Sequence, residues 1–160
     1  MSIFSDELTK LAIDVLARCR SKSWKLTTDE SCTGGLISAL LTEISGSSDV
    51  FTHGFVTYAN EAKAELGVDQ ELLSRHGAVS EQVARAMAEA ALKAAHADIA
   101  IAVTGIAGPS GGTPEKPVGL VHIACATKAN TTHQKFQFSG DRSEIRLSAV
   151  EAALKLALAD

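Results

Sequence analysis

Residues 99–103 (Ile99, Ala100, Ile101, Ala102, Val103) form an unbroken apolar run of strand length. A half-wet strand alternates apolar and polar positions, and this one does not. Such a strand is buried on both faces, so the sheet that holds it must be covered by a further layer on each side. The run feeds directly into residues 104–120, which carry all three prolines of the chain and five of its twelve glycines. Ordinary connections in compact domains span about 4–6 residues, and longer ones tend to be functional. Glycine lets a backbone approach a ligand closely and proline stiffens the path, so this segment is expected to hold something.

The flanking sequence supplies the covering layers. Leu8, Leu11, Ala12, Val15 and Leu16 recur at helical spacing over residues 5–20, with Ser5 or Asp6 as cap. A short β-compatible run at 25–28 leads through Gly34 and Gly35 into a second helix lined by Leu36, Ile37, Leu40, Leu41 and Ile44. Residues 51–58 read as a strand, Asn60 as the cap of a short helix to Leu66, and 69–75 as another short helix closed by Gly77. Ser80 opens a strong alanine-rich helix to His96, and residues 118–127 and 131–138 form a hairpin about 128–130. Asp141 caps a last amphipathic helix with Ile145, Ala149, Ala152, Ala153 and Leu156 inward. The pattern predicts an α/β fold: a single three-layer α/β/α domain over residues 1–160, with a mixed, mostly parallel sheet of five strands.

Composition excludes several function classes. The formal net charge is −4 and no stretch is rich in lysine and arginine, which argues against nucleic-acid binding by a basic surface. Cys19, Cys32 and Cys125 are odd in number and form no Cys-x-x-Cys pair, as expected of reduced thiols in a cytoplasmic protein. The first residues lack the pattern of a signal peptide, and no apolar run approaches the ~20 residues of a membrane span. Histidines 53, 76, 96, 122 and 133 show no metal-binding spacing, so neither a metal nor another cofactor is expected.

Three segments carry candidate chemistry. Glu30-Ser31-Cys32-Thr33-Gly34-Gly35 lies at a strand-to-helix turn, where unpaired N–H groups can hold an oxyanion beside a serine nucleophile. Ser31 or Thr33 can equally serve there as an N-cap. Cys32 can be a reactive thiol at this helix start or, lacking a histidine partner in context, a buried structural one. In Tyr58-Ala59-Asn60-Glu61-Ala62-Lys63, again at a strand end, a desolvated Lys63 can take a proton from a serine, or it can be a solvated helix lysine. The loop 105–119 contains neither common phosphate fingerprint, although its backbone N–H groups can still meet a phosphate or a carbonyl. Arg142 and Arg146, one helical turn apart, can reach one anionic ligand, or Arg146 can pair with Asp141 or Glu144 on the surface.

Together these segments resemble the CinA C-terminal domain family, whose active members are nicotinamide-nucleotide amidohydrolases. The resemblance runs from Leu8 to Leu158 and rests on residues 30–35, 58–63 with Leu66-Gly67-Val68, 77–80, 104–113 with 116–119, and Gly140-Asp141-Arg142 with Ile145-Arg146. It implies a three-layer domain that hydrolyses the carboxamide of nicotinamide mononucleotide to nicotinate mononucleotide and ammonia. It places the nucleophile at Ser31, the general base at Lys63 and a supporting tyrosine at Tyr58. Around the substrate it places Thr33, Gly34, Gly35, Asn60, Thr104, Gly105, Ala107, Gly108, Gly111, Gly112, Arg142 and Arg146. Asp29 stands where the family often has alanine, His53 where glycine is usual and Ala59 where serine is common. The expected partners are the small-molecule substrate and further copies of the chain in a homo-oligomer, with no nucleic acid and no membrane. The alternative is a non-catalytic nucleotide-binding module, or a partner in competence and recombination.

Overall fold

The apolar run is the middle strand of the sheet. In the computed structural model, which describes residues 1–160, the strands are β1 (Leu26–Glu30), β2 (Phe51–Val56), β3 (Ile99–Gly105), β4 (Leu120–Thr127) and β5 (Thr131–Gln137), in the order β2-β1-β3-β4-β5. β1 pairs in parallel with both β2 and β3, whereas β3 with β4 and β4 with β5 are antiparallel. Four strands therefore point one way and β4 alone opposes them, a mixed and mostly parallel sheet as the sequence predicts.

The helices are α1 (Asp6–Ser21), α2 (Leu36–Thr42), α3 (Asn60–Leu66), α4 (Gln70–His76), α5 (Glu81–Ala94) and α6 (Arg142–Ala159). Side-chain caps start several of them. Ser5 accepts from the Leu8 N–H and Ser80 from the Val83 N–H, while Asp141 and Glu144 form a reciprocal capping box. Each such cap contributes about 1 kcal/mol.

Strand alternation decides what covers each face. Ile99, Ile101, Val103, Val121, Ile123 and Cys125 belong to a 27-residue core with α1, α2 and α6. The intervening Ala102, Ala124 and Ala126 face α5, whose Val83, Ala84, Met87 and Ala88, with Val68 and Leu73, complete a core of nine residues. Small side chains on both partners let α5 lie close to the sheet, which explains the alanine-rich helix. Edge strand β2 stays half-exposed.

Several boundaries differ from expectation, each for a tertiary reason. β1 continues to Glu30 because Asp29 and Glu30, unpromising strand residues, both find buried partners. β2 ends at Val56, and Asn60 is the first residue of α3, not its cap; Ala59 occupies that place without a side-chain bond. Residues 118 and 119 remain in the loop before β4, and α5 ends two residues before His96, which adopts φ 50°. The carboxyl ends of β1, β2 and β3 meet at one edge, the place where open α/β sheets bind ligands.

Candidate active site

Ser31 follows the last residue of β1. Its N–H donates to the Val103 carbonyl at 2.9 Å, and the Gly34 N–H donates back to the Ser31 carbonyl at 3.0 Å. The N–H groups of Cys32 and Thr33 donate to no backbone carbonyl. The chain turns through Gly34 and Gly35 at φ 58° and 102°, backbone that favours glycine. A Cβ on Gly34 would stand 3.2 Å from the Arg146 guanidinium. That guanidinium donates to the carbonyls of Cys32 at 3.0 Å and Thr33 at 3.2 Å, so α6 clamps the turn.

Neither Ser31 nor Thr33 caps α2. Glu30 does so from the strand: Oε1 accepts from the Thr33 hydroxyl and the Ile37 N–H, and Oε2 from the Ser38 N–H and hydroxyl. Gly35 occupies the cap position with no side-chain bond of its own. With the helix end satisfied elsewhere, the Ser31 hydroxyl is free to meet Lys63.

Lys63 is 1% exposed, far from the solvated helix lysine that its sequence also permits. Its Nζ donates to Ser31 Oγ at 3.0 Å, to the Thr57 carbonyl at 2.6 Å and more weakly to the Tyr58 carbonyl at 3.4 Å. Burial holds its pKa below the ordinary lysine value, while Asp29 and Cys32 pull the other way. The three contacts of the amine are thus two carbonyls and the Ser31 hydroxyl. Such an arrangement, a serine hydroxyl against a buried amine of lowered pKa, can support a serine nucleophile with an amine as its base.

Asp29 is fully buried next to this pair. Its Oδ1 accepts from the Thr57 hydroxyl at 2.6 Å, and Oδ2 has no partner. Burial pushes its carboxyl up to about 7, against the pull of Thr57 and Lys63. The Cys32 thiol is likewise pushed up to about 11 by burial and packs in the larger core, as expected of a structural cysteine.

The cavity over Ser31 has a volume of about 220 Å³ and is lined among others by Lys63, Tyr58, Thr104, Ala107 and Arg142. Thr104 is fixed by donating to the Ala78 carbonyl at 2.9 Å. Arg142 donates to the Gly108 carbonyl at 2.7 Å and to the Tyr58 hydroxyl at 3.0 Å, tying the long loop to the end of β2. The Tyr58 phenol is therefore bonded to Arg142, and what Tyr58 offers Lys63 is its carbonyl. Gly105 also lines the cavity. Asn60 lies outside it beside a separate hollow against α4, and Gly111 and Gly112 are exposed on the outer loop, where Gly112 backs onto Val118. Asp29, Thr57 and Glu30 went unread as functional groups in the sequence. The Asp29–Thr57 contact spans 28 residues and depends on β1 lying beside β2, whereas Thr57 and Glu30 reach partners 6 and 7–8 residues on through the turns into α3 and α2.

Comparison with known proteins bears on this geometry. The pattern of the CinA C-terminal domain matches residues 8–159. The chain is 50% identical over 153 residues to the nicotinamide-nucleotide amidohydrolase PncC of Enterobacter agglomerans, covering 94% of this chain and 93% of that one. It is 54% identical over 140 residues to a CinA-like protein of Syntrophobacter fumaroxidans, covering 87% of this chain but only 33% of the relative. The chain thus spans about a third of the length of several curated relatives that it matches. Among solved structures, the competence/damage inducible protein CihA of Agrobacterium tumefaciens superposes with a TM-score of 0.96 at 47% identity, over 100% of both chains. No helix of the chain is long and apolar enough to cross a membrane.

Proposed function

The chain belongs to the CinA C-terminal domain family, and from that premise we propose that it hydrolyses the carboxamide of nicotinamide mononucleotide to nicotinate mononucleotide and ammonia. The reading is carried by one observation, the buried 3.0 Å contact between Lys63 Nζ and Ser31 Oγ. The amidohydrolase name of the Enterobacter agglomerans relative supports the substrate class.

In the proposed reaction the Ser31 oxygen attacks the carboxamide carbon while its proton passes to neutral Lys63. The carbonyl electron pair moves onto oxygen, where the N–H groups of Cys32 and Thr33 receive it. Lys63 then delivers the proton to the departing nitrogen, and ammonia leaves a Ser31 acyl-enzyme. Water, deprotonated by Lys63, cleaves the ester and restores the hydroxyl. Tyr58 and Arg142 hold each other at the cavity mouth.

The cavity suits the pyridine carboxamide alone. At about 220 Å³ it falls below the ~300–1,000 Å³ of sites that engulf a drug-sized ligand, so ribose and phosphate lie outside it. Arg142 is the guanidinium at that mouth, whereas Arg146 is committed to the carbonyls beneath it. The test is ammonia release from nicotinamide mononucleotide. The unaltered chain is expected to turn it over, and Ser31→Ala is expected to abolish release while melting unchanged. Turnover retained in Ser31→Ala overturns the serine mechanism; no turnover by the unaltered chain favours a non-catalytic binding module.

A further inference from the structure

Thr57 joins two buried ionisable groups, a carboxyl and an amine. Its hydroxyl donates to Asp29 Oδ1 at 2.6 Å, and its carbonyl accepts from Lys63 Nζ at 2.6 Å. Asp29, Thr57, Lys63 and Ser31 thereby form one continuous hydrogen-bonded chain, with the residues 0%, 5%, 1% and 8% exposed. Asp29 Oδ2 ends the chain without a partner. A buried carboxylate oxygen left unbonded costs about 1–3 kcal/mol or more, because it has lost its water without replacement. Its neighbour in sequence, Glu30, is equally buried yet has four donors on its two oxygens. Packing therefore accounts for Glu30 and leaves Asp29 unexplained.

The reaction offers an account. When Ser31 gives up its proton, a full positive charge appears on Lys63, an amine almost wholly buried. Two carbonyls solvate it, and Asp29 is the anionic group behind them. Thr57 N–H donates to the Glu30 carbonyl at 3.0 Å, so the Thr57 carbonyl cannot swing away from the amine. We propose that Asp29 is a positioning residue of the serine–lysine site: a buried counter-charge that stabilises the Lys63 ammonium as it forms and, through Thr57, fixes the carbonyl on which the amine rests. The inference rests on the amidase reading and extends it to a residue that touches no substrate.

The charged and titratable surroundings are few. Lys63 faces Asp29 from α3, Glu30 follows it in the strand with its side chain turned to α2, and the Cys32 thiol lies near Lys63 with its pKa raised by burial. The buried residues of α5 on this side are Val83, Ala84, Met87, Ala88 and Ala91, none of which titrates. Removing the Asp29 charge therefore makes the Lys63 ammonium less stable. Lys63 becomes neutral at lower pH and is a weaker base.

The experiment is the pH profile of Asp29→Asn. Its acid limb for kcat is expected about one pH unit or more below that of the unaltered chain, as for loss of one nearby opposite charge, and its plateau kcat about tenfold or more lower. A merely structural role would lower activity without moving the limb. Thr57→Val, which removes the hydroxyl that favours ionised Asp29, is expected to shift the limb the same way by less. It also decides the matter should Asp29→Asn fail to fold. A second readout needs no nucleotide: the pH dependence of Ser31 labelling by a fluorophosphonate follows the same proton on Lys63. If the unaltered chain shows a limb and the variants keep it in place, the role of Asp29 is overturned and the amidase stands. If the unaltered chain neither turns over substrate nor labels at Ser31, the amidase reading falls, and the role of Asp29 with it.

Discussion

Asp29 and Glu30 are consecutive, both fully buried, and carry the same functional group to opposite faces of one strand. On the α2 side Glu30 is saturated with donors and serves as a helix cap. On the α5 side Asp29 has one bonded oxygen and one empty, beside an amine held below its ordinary pKa. The difference follows from what each face contains. The α1–α2–α6 face is a large apolar core, where an unpaired carboxylate is costly. The α5 face is thinner and lined with alanine, and at its carboxyl edge a half-paired carboxylate stands beside a buried amine. One carboxylate serves the helix, and the other faces the candidate site.

Four substitutions can break or sharpen that contrast. Lys63→Met is expected to have the largest effect, cutting ammonia release by about 10³-fold or more through loss of the base. It should leave the melting temperature unchanged or higher, since an amine costly to bury is replaced by an apolar chain of similar length. A cooperative unfolding defect in calorimetry would show that Lys63 belongs to the structural side after all. Next, Glu30→Ala leaves three donors without an acceptor, the Ser38 hydroxyl keeping Thr28, and is expected to cost about 3 kcal/mol in denaturant unfolding. A loss under about 1 kcal/mol would remove the distinction between the two carboxylates.

The third is a pH effect on stability. The Asp29 carboxyl sits at about 7 when folded, against 3.8 ordinarily, so between those values it keeps its proton in the folded chain and loses it in the unfolded one. The folded state then binds more protons, and stability contributed by Asp29 is complete below about 4, falls as pH rises to about 7 and stays lost above. Asp29→Asn is expected to flatten that fall and to be more stable than the unaltered chain at pH 8 by about 2 kcal/mol in urea titrations. A parallel pH dependence in both chains would count against it. The smallest effect is expected from Cys32→Ala: about 1 kcal/mol of stability for a small buried side chain, with ammonia release largely kept. Complete loss of turnover would return Cys32 to the reaction.

Much of the architecture was legible because its determinants are local. The apolar run at 99–103 announces β3, and Ser80 and Asp141 announce the starts of α5 and α6 through bonds to N–H groups only three residues on. Ser31 and Lys63 stand out at strand ends, and the resemblance to a known family pairs them. The groups around them do not stand out, because their partners are set by the fold. Glu30 reads as a poor strand residue, and its role as a cap depends on a helix that begins six residues later. Arg146 reads as a surface arginine or an anion ligand, and its partners at Cys32 and Thr33 lie over a hundred residues away. Asp29 would be invisible without β2 beside β1 in parallel register, which brings Thr57 alongside.

The clamp from Arg146 to the turn at Cys32 and Thr33 also sets an order of assembly. Ser31 and Lys63 are 32 residues apart and can meet once β1, β2 and α3 are in place. The carbonyls behind Ser31 are gripped only when α6, more than a hundred residues further along the chain, has docked. Undocking of α6 alone therefore leaves the serine and the lysine together with the turn between them unheld.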